Sequence, residues 1–280
     1  MSPFYNDHTA YGMILAFFLP VLLGFVFWFK SSFKIRIIAS GFFIIFFIGF
    51  YLSYSRAAWL SFAFSLVVFG LLKFNVKFRT LLLLTAILLA FVVMNRQYLT
   101  NQLQHNQTQS SSDFVAHVAS SSNIMSDASN LERINRWNCA IRLFQERPFL
   151  GWGPGTYQFV YGSMQRSNER TIISTNSGDA GNAHSEYLGP LAESGIFGLL
   201  SVLAVFLSMM QTGFKINREA KTDTIKFIAM ISTMALTTYL AHGFLNNFLD
   251  TDKASIPFWT IAAILVALDW QNQHAASENT

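Results

Sequence analysis

Seven long apolar runs restrict this chain to few possible folds. They cover residues 11–29, 33–52, 57–73, 80–94, 187–213, 225–245 and 255–270. Runs of about 17–25 apolar residues are expected for helices that cross a bilayer. The chain is 52% hydrophobic and 12% charged, with 29 Phe in 280 residues. A soluble domain carries about twice that share of charge. The expectation is an all-α, polytopic membrane protein with about seven transmembrane helices and one large extracytoplasmic loop.

The opening MSPFYNDHTAYG has no basic n-region and no small-residue cleavage site, so no signal peptide is expected. Cys139 is the single cysteine, which rules out a disulfide within the chain. The net charge of +4 does not imply nucleic acid, because in a membrane chain the position of the charges matters more than their sum. Lys30, Lys34 and Arg36 lie between the first two runs, and Lys73, Lys77 and Arg79 between the third and fourth. Lys215, Arg218, Lys221 and Lys226 lie between the fifth and sixth, whereas the opposite short connections hold only Arg56 and Lys253. Basic short loops face the cytoplasm. This places the N-terminus outside, the C-terminus and the tail 271–280 inside, and the loop 95–186 outside. An outside N-terminus of only about ten residues is unusual before a first helix and suggests that the chain corresponds to the C-terminal part of a longer ancestral arrangement. The expected organisation is four membrane helices in 1–94, the large loop 95–186, and three membrane helices in 187–270.

Within the large loop, residues 97–130 are rich in Gln, Ser and Asn. They hold too little apolar surface to order themselves, so they read as a flexible spacer or a mobile lid. From Leu131 the pattern changes. Ile134, Trp137, Ile141 and Phe144 form one stripe of an amphipathic helix over 131–147, with Asn130 as its cap and Pro148 ending it. Arg133 lies at the edge of this stripe, Arg136 a little further round and Arg142 roughly opposite. Such a helix on the bilayer surface holds Arg133 near the membrane and sends Arg142 to water. Arginines that only snorkel to lipid phosphates would give the same spacing. GWGPG lacks the Gly-Lys-Ser/Thr of a phosphate-binding loop and reads as a structural turn.

Three blocks carry a resemblance to a known family. SRAAW (Ser55 to Trp59) is similar to a Ser-Arg pair opening a membrane helix. RINRW followed by RPFLGWGPGTY is similar to an Arg-x-x-x-Trp and Pro-x-x-Gly-x-Gly-x-Gly segment. In HSEYLGPLAESGIFG, His184 and Ser185 are followed by nine residues and then Gly195 and Gly198, which is similar to a histidine motif. Together, in this order over roughly 40–270, they resemble the C-terminal half of the O-antigen ligase and O-antigen polymerase superfamily. The family usually has several more helices before the first one here. The resemblance implies a glycosyltransferase of the type C membrane class in lipopolysaccharide biosynthesis. It would take a glycan from undecaprenyl diphosphate and pass it to a hydroxyl of the lipid A core, or to another glycan acceptor, without metal or other cofactor.

The residues themselves fit such chemistry. A sugar diphosphate leaves with negative charge, which arginine holds well because its planar fork binds phosphate oxygens in pairs. The expected order of helices puts Arg56, Arg133 and His184 on one outer face. His184 is then the base or acceptor-orienting group, with Arg56 and Arg133 gripping the diphosphate. Arg136, Ser55, Trp137 and Ser185 are the further substrate-binding candidates. Glu193 is expected to pack helices, Gly195 and Gly198 to allow close helix approach, and Asn246, Asn247, Asp250 and Asp252 to line the last outer loop. The histidines are scattered without metal-ligand spacing. A polymerase, a protein O-oligosaccharyltransferase, a transporter and an inactive truncated member are the other readings. Membrane lipids surround all of them. Charge is nearly absent from the helix interiors, which speaks against a transporter.

Overall fold

The computed structural model describes residues 5, 7–28, 30–95, 114–176 and 181–277. These residues form helices α1 (His8–Phe27), α2 (Phe33–Leu52), α3 (Arg56–Lys73), α4 (Phe78–Met94), α5 (Phe114–Glu146), α6 (Tyr157–Met164), α7 (Leu188–Glu219), α8 (Asp223–His242) and α9 (Asp252–Ser277). Six of them, α1, α2, α3, α7, α8 and α9, are long and apolar enough to cross a membrane. The fourth apolar run falls in α4, which has 17 residues. At about 1.5 Å per residue it rises roughly 26 Å, at the lower limit for a helix that crosses the ~30 Å hydrocarbon core. The protein is an all-helical, polytopic membrane protein.

α8 is the centre of the bundle. Two thirds of its most apolar window is buried, and α1, α3, α7 and α9 pack against it. Its buried hydroxyls do not need outside partners. Thr233, Thr237 and Thr238 each donate to the carbonyl one turn earlier, at 2.6, 2.7 and 3.0 Å. Gly213 of α7 lets the two helices meet, since a Cβ there would lie 2.1 Å from Thr233 Oγ1. Phe17, Tyr239, Phe258, Leu236 and Leu265 fill the space between α1, α8 and α9. α2 packs mainly on α1, meets the start of α3 where Trp59 Nε1 donates to the Phe50 carbonyl at 3.2 Å, and turns Ile37, Phe42, Ile45 and Ile48 outward, an apolar face suited to lipid.

α5 starts at Phe114, well before the expected Leu131, because neither Gly nor Pro interrupts the chain until Pro148. Asn130 therefore sits inside the helix and is not its cap. Its Oδ1 accepts from Arg133 Nη1 at 3.0 Å. Of the segment 97–130, residues 97–113 lie outside the described residues. The face that α5 buries is also not the apolar stripe. Ile134 and Ile141 are 49% and 40% exposed, whereas Glu132, Asn135, Arg136, Cys139, Ala140 and Leu143 are buried. α5 packs by this mixed face on α6 and α7.

Candidate active site

The polar face of α5 is satisfied by the chain segment 165–183. Arg136 Nε donates to Glu132 Oε1 at 2.9 Å, its Nη1 to the Asn182 carbonyl at 3.2 Å and its Nη2 to Thr175 Oγ1 at 3.4 Å. Its guanidinium also lies over the Tyr161 ring, 5.0 Å from the centroid. Glu132 in turn accepts from Thr171 Oγ1 at 2.9 Å and from Ser174 Oγ. Asn135 adds a bond to Gln165 Oε1 at 3.0 Å. Three of the five N–H groups of Arg136 are thus used inside the protein, on the chain segment that leads to His184. Breaking this buried pair strands a charge, which costs about 3–5 kcal/mol. Arg136→Met will lower the thermal unfolding temperature in detergent by more than any substitution on the exposed face of α5. An unchanged unfolding temperature would show that the pair is not buried in solution.

Arg142, expected to point to water, is instead largely covered, with 18% of its side chain exposed. It donates to both carboxylate oxygens of Glu169, at 2.5 and 2.6 Å, and to the Met164 carbonyl at 2.7 Å. It closes the far end of the same segment onto α5.

A second lock joins the Gly-rich turn to α7. Glu193 caps α6 through its carboxylate, accepting from Gly155 N at 2.9 Å and Tyr157 N at 3.0 Å. The backbone reinforces this, with Gly153 N donating to the Glu193 carbonyl at 2.8 Å and Ile196 N to the Pro148 carbonyl at 2.8 Å. The expected helix-packing role of Glu193 is in fact a loop-capping role. α7 breaks at Gly195, where φ is 63° and ψ −157°, a conformation open to glycine almost alone. A Cβ there would sit 2.3 Å from the Phe149 carbonyl oxygen. The Gly195 break therefore admits the 148–155 turn into α7. At Gly198 the nearest atoms belong to α7 itself, with a Cβ 2.5 Å from the Pro190 carbonyl oxygen, so the second glycine serves the bend and not a neighbouring helix.

These two locks hold His184 just before α7. Its backbone is left-handed, with φ 49°, which is uncommon for a residue other than glycine. Asn182 Oδ1 accepts from His184 N at 3.0 Å, and Trp137 Nε1 donates to the His184 carbonyl at 3.4 Å. Trp137 thus orients the backbone of His184. No bond to a described residue engages the imidazole itself. Burial, with the charges of Arg136 and Arg133, pulls its pKa down to about 4, so the ring is neutral at pH 7. Ser185 next to it is a cap: its Oγ accepts from Tyr187 N at 3.3 Å and Leu188 N at 3.4 Å.

Arg133 is close enough to His184 and His242 to act on both electrostatically. Its Nε donates to the Leu245 carbonyl at 3.2 Å and its Nη1 to Asn130, leaving Nη2 open among the described residues. His242, 1% exposed, accepts from Asn246 Nδ2 at 3.1 Å through Nε2, and its ring faces the backbone of Ala57. Ala57 follows Arg56, the first residue of α3. Arg56 is exposed and makes no bond to a described residue. A cation at the positive end of a helix weakens that helix, so its place is not explained by helix stability. Ser55 caps the same helix end, accepting from Ala58 N at 3.3 Å. Ser55, Trp137, Ser185 and Arg136 are thus all used within the protein. Among the described residues, Arg56, Arg133 and the His184 ring keep free hydrogen-bonding capacity at one end of the bundle.

Sequence reasoning gave no site role to Asp7, His242 or Glu186, and placed Asn246 only in the last outer loop. Asp7 caps α1 and lies within electrostatic reach of Arg133, His184 and His242. His242 and Asn246 complete the wall between α3 and α8. Glu186 fastens the α8–α9 turn, accepting from Tyr239 Oη and from Phe248 N and Leu249 N at 2.8 and 3.0 Å. Burial pushes its carboxyl above the usual range. None belongs to a spaced motif except Glu186, whose place beside His184 was the available signal. Among the described residues no group of three His, Cys, Asp or Glu is arranged to hold a metal ion.

A model of the O-antigen ligase family matches residues 41–203. This span covers more than half of the chain and includes Arg56, Arg133, His184 and the Gly195 break. The chain belongs to the O-antigen ligase family. Family membership implies a ligase- or polymerase-like glycosyl transfer on glycan or lipid-linked substrates. No curated protein matches the chain. The matched region ends within α7, so Asp7, His242 and Asn246 come to the site from outside it.

Proposed function

We propose that this protein is a ligase that moves a glycan from undecaprenyl diphosphate to a sugar hydroxyl of the lipid A core, at the periplasmic face of the inner membrane. The observation that supports this reading is the grouping of Arg133, the open His184 ring and the α3 start with Arg56 at one end of the bundle. The acceptor hydroxyl oxygen bonds to the anomeric carbon of the donor sugar while the bond from that carbon to the diphosphate oxygen breaks. The hydroxyl proton passes to the His184 imidazole. The electron pair leaves with undecaprenyl diphosphate, whose charge Arg56 and Arg133 hold. Arg136, Trp137, Ser185 and Ser55 position these groups. No step needs a metal ion.

A strain lacking the protein will accumulate carrier-linked polymer and an unextended lipid A core, and the chain will restore ligated glycolipid on complementation. Surface glycan of a single repeat would instead indicate a polymerase. Loss of a glycoprotein would indicate protein glycosylation. Either result overturns the ligase reading.

The depressed pKa of His184 fixes the pH dependence. In the free enzyme the ring is neutral above about pH 4, so the acid limb of kcat/KM that it sets lies near there. A bound diphosphate offsets the Arg133 charge and raises the pKa, so the matching limb in kcat will lie at higher pH. Coincident limbs in the two profiles would remove His184 from contact with the charged donor. The same shift makes folding less favourable as pH falls from 6.5 towards 4, because the unfolded chain binds this proton first.

A further inference from the structure

The end of the bundle away from His184 holds a charged cavity, about 420 Å³ in volume, between the α3–α4 turn and the last turns of α7. α7 is anchored there by Asn217 Nδ2, which donates to the Leu72 carbonyl at 2.8 Å. Lys77, Arg79, Lys215 and Arg218 line the cavity, and Phe78 and Phe214, 5.4 Å apart, form its floor. Lys215 is already paired, with Asp269 at 2.9 Å. Lys77, Arg79 and Arg218 bond to no described residue, and Glu219 is the one acid on the wall.

Three cations converging on one cavity repel each other unless an anion joins them. Basic loops that only set membrane orientation need no such convergence, since their charge works anywhere in the loop. The geometry points to a site for a phosphate-bearing headgroup, held by Lys77, Arg79 and Arg218. Its source is an anionic phospholipid of the leaflet opposite the His184 cluster. The lipid source is favoured by what borders the cavity. α4 exposes Leu82 and Leu83, and α7 exposes Leu207, so apolar surface for acyl chains runs from the aromatic floor along both helices. Arginine forks and lysine point charges suit the phosphate oxygens.

The test is thermal unfolding and native mass spectrometry of the detergent-purified chain with added phosphatidylglycerol, phosphatidylcholine or glycerol 3-phosphate. Phosphatidylglycerol will raise the unfolding temperature by about 3–6 °C near saturation and stay bound in the mass spectrum. Phosphatidylcholine will do neither. The combined Lys77→Gln, Arg79→Gln and Arg218→Gln variant will lose the shift while keeping its unfolding temperature in phosphatidylcholine. If that variant does not fold, Arg218→Gln alone will lose at least half of the shift. Equal responses to the two phospholipids, or a full shift in the variants, would overturn the site. An equal response to glycerol 3-phosphate would overturn the lipid as its occupant.

Discussion

Replacing His184 by Ala will reduce glycan transfer by about 100- to 10,000-fold, the range in which a positioned general base contributes. The ring makes no bond to a described residue, so its loss removes chemistry and leaves the described hydrogen bonds intact. The backbone at this position is left-handed, and alanine is less at ease there than histidine. His184→Asn separates the two effects, because asparagine tolerates that conformation but is no base. Both variants will reach the membrane in normal amount, and both will leave donor glycan unligated. A His184→Asn strain with normal surface glycolipid would end the assignment of His184 as a base.

Gly195→Ala will be the most damaging conservative change outside the charged groups. It adds strain of about 1–3 kcal/mol from the backbone conformation and a similar sum from overpacking against Phe149. The unfolding temperature will fall on the order of 10 °C. Transfer activity will fall with it, because the displaced 148–155 turn carries the Glu193 cap and, through α5, the setting of Trp137 and His184. Gly41→Ala is the control. Gly41 lies on the outward face of α2 with nothing near its absent Cβ, and alanine there will be neutral or stabilising. Equal behaviour of the two variants would show that α7 does not break at Gly195.

The spans and the site were legible to different degrees. The membrane helices could be read because lipid imposes a length and an apolar composition on each of them separately. His184, Arg133 and Arg56 could be singled out because each stands in a spaced block. The packing of α5 could not be read. Its apolar residues Ile134 and Ile141 face outward, and its buried face is Glu132, Asn135 and Arg136. A polar residue can be buried when a distant segment satisfies it, and here Thr171, Ser174, Thr175 and Asn182 do so from some 40 positions away. Periodicity, which assumes that apolar means inward, selects the wrong face in such a case.

By itself, then, the amino-acid order determined an all-helical membrane protein and three of its candidate reactive groups, since these follow from local composition and short spacings. Only the tertiary structure decided how they are used. It committed Arg136 and Arg142 to carboxylates inside the protein, made caps of Ser55, Ser185 and Glu193, and brought Asp7, His242 and Asn246 to the same end. The physical reason is that a polar group's role depends on whether its hydrogen bonds are already made, and the partners that make them lie far away along the chain.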